Sequence, residues 1–286
     1  MKQVTILSGK GGTGKTTITA CFATLSENAV FADCDVDASN LHLLLNPEIK
    51  ETNEFMGLNV AYIDPEKCIQ CGKCMEVCRF NAIEDYIVDP IHCEGCKVCV
   101  VNCPVEAIEY NPRVSGHAYI SETKYGPMSH ARLTPGMENS GKLVTQVRQN
   151  ASKIAEEKEK DLVLVDGSPG IGCPVIASIA NVDASVVVVE PTLSGIHDLK
   201  RALELLEHFE ITPYVIVNKY DINEENSADL EKFCKENNIE LLGMIPFDPT
   251  VTKAMVQRTP IVEFSPDSPA AKAIVETWKR FSSLLV

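Results

Sequence analysis

Short apolar runs alternate with amphipathic stretches along most of the chain. β-Branched and aliphatic residues are concentrated at Val4–Leu7, Ala29–Ala32, Leu162–Val165, Ser185–Val189 and Tyr214–Val217, each bounded by turn or polar residues. Unbroken runs of that length are the pattern of strands buried on both faces. Between them, Lys142–Lys160, His197–Phe209 and Ala228–Asn237 read as helices. The alternation predicts an α/β fold, a mostly parallel sheet with helices on both faces. In such sheets ligands bind beyond the carboxyl ends of the strands. From Ala270 to Val286 the residues Ile274, Val275, Trp278, Phe281 and Leu285 share one helical face, which predicts a closing helix on the sheet. From Asn111 to Gly141 the pattern is interrupted by Gly116, Gly126, Pro127, Pro135, Gly136 and Gly141. This segment predicts a long structured loop carrying His117, Tyr119, His130 and Arg132 in solvent.

Eight of the 12 cysteines fall between Cys68 and Cys103, and that window repeats itself at an offset of 25 residues. Cys68, Cys71, Cys74 and Cys78 recur as Cys93, Cys96, Cys99 and Cys103, and Ala82-Ile83-Glu84 recurs as Ala107-Ile108-Glu109. A duplicated unit predicts a self-contained module over 64–110, inserted into a domain formed by 1–63 and 111–286. Soft thiolates at such spacing point to iron–sulfur clusters. C-x2-C pairs also hold zinc, but two runs of four at these gaps fit a zinc ribbon poorly. A purely structural staple is the plainer alternative.

The first strand leads into Gly9-Lys10-Gly11-Gly12-Thr13-Gly14-Lys15-Thr16, followed by Thr17. This G-x-x-x-x-G-K-T motif between strand and helix is a phosphate-binding loop. Its backbone amides and the helix N-terminus cradle phosphates, Lys15 reaches the outer phosphates, and the Thr16 hydroxyl ligates Mg²⁺. Lys10 makes the loop resemble the deviant Walker A motif of the MinD/ParA/Mrp family, which includes the nitrogenase iron protein. The resemblance implies an ATP-sandwich homodimer in which Lys10 reaches the partner's nucleotide. It also implies that Asp33-Cys34-Asp35 is switch I, with Asp35 orienting the attacking water and Asp37 an additional acid. Asp166-Gly167-Ser168-Pro169-Gly170 then corresponds to Walker B and switch II, where Asp166 supports Mg²⁺ and the Gly170 amide senses the γ-phosphate. Asn218-Lys219-Tyr220-Asp221 matches the N-K-x-D by which many GTPases read guanine, whereas in the MinD-like family the matching Asn contacts adenine. The two-lysine loop favours ATP, and Asp221 is the residue that discriminates. Pro246-Phe247-Asp248, after Leu241–Ile245, resembles the family's second purine-contacting loop.

The cysteine window resembles the two-cluster bacterial ferredoxin module, whose fourth cysteine in each run ligates the other cluster. This implies one 4Fe–4S cluster on Cys68, Cys71, Cys74 and Cys103, and a second on Cys93, Cys96, Cys99 and Cys78. Arg79 stands where that pattern usually has proline, and a positive charge there favours the reduced cluster. Cys173 sits seven residues after Asp166, the offset at which the nitrogenase iron protein holds a shared cluster. The upstream second ligand of that arrangement is missing, so Cys173 is expected to be a free, buried cysteine, with transient cluster or metal binding gated by nucleotide as the alternative. Cys21, Cys34 and Cys234 read as core or surface residues.

With 286 residues the chain can bury a sizeable core. Its net charge of −14 argues against a protein that coats nucleic acid. No apolar run approaches the roughly 20 residues that cross a bilayer, and no stable membrane anchor is expected. Twelve thiols in a chain without a signal-peptide core fit a reducing cytoplasm. The expected activity is ATP hydrolysis that gates electron transfer from two clusters to a redox protein partner. The alternatives are an iron–sulfur cluster carrier serving an apo-acceptor, and a redox-sensing positioning ATPase.

Overall fold

The computed structural model describes residues 1–137 and 141–285. In chain order the first elements are β1 (Lys2–Leu7), α1 (Lys15–Leu25), β2 (Ala29–Asp33), α2 (Leu41–Leu45) and β3 (Glu48–Ile63). Then come α3 (Lys73–Val77), β4 (Ile83–Glu84), β5 (Ile87–Val88), α4 (Val98–Val101), β6 (Ile108–Thr123) and β7 (Gly126–Leu133). The chain continues with α5 (Lys142–Glu157), β8 (Leu162–Asp166), α6 (Cys173–Ile179), β9 (Ala184–Val189), α7 (Leu193–His208) and β10 (Thr212–Asn218). A 3-10 turn at Tyr220–Ile222 precedes α8 (Glu224–Glu236), β11 (Glu240–Ile245), α9 (Pro249–Val256), α10 (Ile261–Phe264) and α11 (Pro269–Leu284).

The strand order is β11-β10-β9-β1-β8-β2-β7-β6-β3. The pairs from β11 through to β7 are all parallel. Every residue of β2 and β9 is buried, the signature of strands covered on both faces. One core layer joins Ile18 and Phe22 of α1 to Ile274 and Phe281 of α11, and Trp278 packs on Phe22 at 4.9 Å. The other joins Val187, Val189, Val215 and Val217 to Leu199 and Leu206 of α7. The closing helix at the C-terminus is present; Val286 lies outside the described residues. No helix among the described residues is long and apolar enough to cross a membrane.

Contacts divide the chain into two compact units, residues 1–52, 118–131 and 139–286, and residues 53–117 and 132–138. The cysteine window lies inside the second unit, together with the strand segments 53–63 and 108–117. β3 and β6 each pass from one unit into the other.

The segment 111–133 is not a loop. Its first part completes β6, and Lys124–Tyr125 turn the chain into β7. Gly126 is there for space rather than for breaking structure: a Cβ on it would stand 2.6 Å from the Ala29 carbonyl oxygen. His117, Tyr119, His130 and Arg132 are therefore strand residues. His130 is buried in register with Asp33 and stacks on Tyr119 at 5.0 Å. Residues 138–140 lie outside the described residues.

Candidate functional site

β1 ends at the loop that turns back over its carboxyl end into α1. Gly14, with φ of 91°, is the N-cap of α1, and a Cβ there would come 2.4 Å from Asn218 Nδ2. The loop is thus pressed against the end of β10. Asn218 Nδ2 donates to the Thr13 carbonyl at 2.7 Å, and Lys219 Nζ to the Gly12 carbonyl at 3.5 Å. The loop opens on a cleft of about 540 Å³ lined by Gly11, Gly12, Gly14, Lys15, Thr16 and Thr17. Asp35, Pro169, Asn218, Lys219, Pro246, Phe247 and Asp248 also line it. All these groups come from carboxyl ends of strands, the loops after them or the first turn of α1, where a parallel sheet gathers its ligands.

Asp166 is the electrostatic centre. It is fully buried at the end of β8, where Lys15 Nζ donates to Oδ1 at 2.7 Å and Thr16 Oγ1 to Oδ2 at 2.7 Å. Thr19 Oγ1 adds a third bond to Oδ1 at 3.0 Å. Lys15 also stands 3.7 Å from Asp35 Oδ2. Burial pushes the Lys15 pKa down, but Asp166 and then Asp35 outweigh it and hold the ammonium above the ordinary lysine value. Burial raises Asp35, against the pull of Lys15. A hydroxyl and two carboxylates around one lysine are hard oxygen donors suited to Mg²⁺. Thr16 and Asp166 would hold that ion, and it would supply charge neutralisation between phosphate oxygens.

Asp33 does what sequence reading did not foresee: it organises the segment after β2. Its Oδ1 accepts from the Asp35 amide at 3.2 Å, and its Oδ2 accepts from Ser39 Oγ at 2.7 Å and the Leu41 amide at 3.2 Å. Burial, then the neighbouring Asp166, push Asp33 up to about 7. Asp37, by contrast, is exposed.

Lys10 is folded back within its own chain, 3.1 Å from Ser194 Oγ and 3.3 Å from Thr192 Oγ1. Its ammonium is also 3.8 Å from Glu190, which binds Lys219 at 2.5 Å through its other oxygen. Glu190 is a second site residue missed in sequence; its place just after β9, at a strand's carboxyl end, was the available signal. The Gly170 amide, expected to face a γ-phosphate, donates to the Ser8 carbonyl at 3.0 Å. Cys173 is exposed as the first residue of α6, not buried as expected. Cys21, Cys34 and Cys234 are buried, and burial pushes the Cys21 thiol up to about 12.

In the second unit the repeat seen in the cysteines is also a repeat of backbone shape. Left-handed φ values recur at the same offset: Gln70 (54°) with Gly95 (61°), Gly72 (77°) with Lys97 (66°), and Asn81 (50°) with Glu106 (52°). Non-glycine residues in this region carry a steric cost that the surrounding structure must offset. α3 and α4 begin at equivalent positions, each after a left-handed N-cap. The result is two cavities. One is lined by Cys68, Cys71, Cys74 and Cys103; the other by Cys93, Cys96, Cys99 and Cys78. Each run thus sends its fourth cysteine to the other run's cavity.

The thiol surroundings are matched as well. The Ala82 amide donates to Cys78 Sγ at 3.4 Å, the Ala107 amide to Cys103 Sγ at 3.3 Å, and the Gln70 amide to Cys68 Sγ at 3.4 Å. Burial raises the Cys74 and Cys99 thiols, which occupy equivalent places. Ala61, Ile63, Ile83 and Ile108 form a small apolar core shared by both cysteine sets. Among the described residues, no three His, Cys, Asp or Glu side chains converge on the point of a single metal ion. Four soft donors per cavity, with backbone amides aimed at sulfur, fit a 4Fe–4S group. Arg79 is exposed beside Cys78.

A sequence profile of the CobQ/CobB/MinD/ParA nucleotide binding domain matches residues 4–261. An uncharacterised protein of Methanocaldococcus jannaschii is 34% identical over 286 residues, 99% of this chain and 97% of that one. An iron–sulfur cluster carrier protein of Pyrococcus furiosus is 28% identical over 151 residues, 48% of this chain and 50% of that protein. Among solved structures, the MinD cell division protein of Aquifex aeolicus superposes with a TM-score of 0.59 at 23% identity. That match covers 99% of this chain and 97% of the other, and it is a likeness of fold.

Proposed function

Given that the chain belongs to the CobQ/CobB/MinD/ParA nucleotide-binding family, whose MinD and ParA members are ATPases, we propose that it couples an ATP cycle to two 4Fe–4S clusters. On this reading residues 64–110 are a ferredoxin-type domain inserted into an ATPase domain formed by 1–63 and 111–286. ATP binding closes a homodimer, with Lys10 leaving its Glu190, Thr192 and Ser194 contacts to reach the partner's nucleotide. Hydrolysis reopens the dimer, and the cycle gates electron transfer to a redox partner. Thiols stay reduced for this purpose in the cytoplasm.

This chain's residues divide the hydrolytic work. The loop amides and Lys15 bind and orient the phosphates, and Asp35 holds the attacking water in line. Lys15 must exchange its carboxylate contact for phosphate; Thr16 and Asp166 would then hold Mg²⁺. The Gly170 amide exchanges the Ser8 carbonyl for the γ-phosphate. Loss of that phosphate restores both contacts, giving switch II two discrete states.

The observation that carries the redox half is the sorting of eight cysteines into two cavities, with Cys78 and Cys103 exchanged between runs. Bound clusters would supply one-electron chemistry at the thiolates. The test is iron and acid-labile sulfide on anaerobically purified protein. About four irons per cavity support the reading, and iron-free folded protein removes its redox half.

A second reading, cluster delivery to an apo-acceptor, is favoured by Cys173. This exposed thiol stands at the head of α6 just after switch II, and one relative is named a cluster carrier. It predicts extra iron that needs Cys173 and responds to nucleotide.

A further inference from the structure

The nucleobase end of the cleft contains an apparent contradiction. Its sequence carries the N-K-x-D of guanine readers, yet the acid of that motif is engaged elsewhere. We infer that Asp221 is a positioning residue that braces the wall of an adenine pocket and does not read the base. The inference rests on the nucleotide reading above and deepens it.

β10 ends at Asn218, and the chain turns sharply at Lys219, whose φ and ψ of 56° and 44° are left-handed. Asn218 and Lys219 both face the phosphate loop and line the cleft. After the turn Asp221 falls outside the lining. Its Oδ1 instead accepts the Phe247 amide at 2.7 Å, from a residue 26 positions away. The next residue is fixed independently: Asp248 Oδ1 accepts the Thr250 amide at 2.8 Å and caps α9. Phe247 is therefore pinned from both sides while its side chain, 53% exposed, lines the cleft.

A carboxylate that selects guanine must offer two oxygens to two adjacent N–H groups on the base edge. Asp221 has committed one oxygen to a backbone amide and is not among the residues that line the cleft. Adenine lacks that adjacent pair of donors and does not need the acid. What the cleft offers a base is an aromatic face held in place, and ring stacking rewards a fixed platform. A charge-assisted bond from Asp221 is a strong way to fix it.

The test uses full-length protein with the magnesium complexes of ATP, GTP, XTP and tripolyphosphate, in the wild type, Asp221→Asn, Asp221→Ala and Phe247→Ala. Asp221→Ala is expected to raise KM for ATP by about ten-fold while kcat stays within about two-fold. Asp221→Asn should restore KM, because its amide oxygen accepts the same bond. Phe247→Ala should behave like Asp221→Ala, and tripolyphosphate should bind all four proteins equally, which also shows that they fold. An unchanged KM in Asp221→Ala overturns the inference. So does a wild type that prefers GTP and an Asp221→Asn variant that exchanges guanine for xanthine. If the wild type binds none of the four compounds, including tripolyphosphate, the nucleotide reading itself fails.

Discussion

Asp33 and Asp166 are register partners at the carboxyl ends of β2 and β8, and neither is exposed to solvent. Lys15 is the cation beside them, and its short bond goes to Asp166. Two buried carboxylates thus stand side by side, the short lysine bond goes to Asp166, and Asp33 carries the consequence.

Asp33 rises from 3.8 to about 7, first through burial and then through Asp166. Its folded state therefore binds more protons than its unfolded state between those values. Stability contributed by the proton is complete below about pH 4 and is lost as pH rises to about 7. Urea unfolding of nucleotide-free, magnesium-free protein should show this decline, on the order of a few kcal/mol, flattening above about pH 7. Asp33→Asn should flatten it throughout.

Arg148 is buried on α5 and donates to the Ala177 and Ala180 carbonyls near the end of α6 and to Gln3 Oε1. Arg148→Met keeps the bulk and removes the donors. Leaving these acceptors unpaired should cost about 2–3 kcal/mol, read as a lower urea midpoint with an unchanged slope.

Glu190 restrains Lys10 and Lys219 together. The Lys10 pair is long and partly exposed, so Glu190→Gln should change fold stability by no more than about 1 kcal/mol. Releasing that restraint should tighten ATP-dependent dimerisation by about five-fold, measured by sedimentation. Unchanged or weaker dimerisation would place Lys10 outside the dimer contact.

Cys103 belongs by sequence to the second run and by position to the first cavity. Cys103→Ser should therefore remove the cluster of Cys68, Cys71 and Cys74 and spare the other. Cys78→Ser should do the reverse. Iron analysis with electron paramagnetic resonance distinguishes this from ligation within each run, where Cys103→Ser would remove the second cluster.

The central strands were legible because their residues are buried on both faces, as in β9. β3 was not: its first seven residues are exposed and, apart from Ile49, polar, so no apolar run marks it. β6 was hidden by Pro112 and Gly116, which sit inside a strand instead of ending one. Lys15, Thr16 and Asp166 could be read because each lies beside a strand end, and the structure gathers them within hydrogen-bonding distance. The bond between Asp221 and Phe247 joins residues of two different strand ends and left no local signal. The same holds for Glu190, whose partner Lys10 is 180 positions away. The pairing of cysteines across runs followed from resemblance alone; in the structure Cys103 lines the first cavity and Cys78 the second.

The coupling of nucleotide to clusters is tested most directly by redox titration of the anaerobically purified full chain, with and without magnesium ATP. Two 4Fe–4S clusters are predicted, with midpoint potentials that move on the order of tens of millivolts when ATP binds, equivalent to about 1 kcal/mol. By the same linkage, ATP should bind the oxidised and reduced proteins with different affinity. Potentials that stay fixed with saturating nucleotide, together with equal ATP affinity in both redox states, would contradict the account.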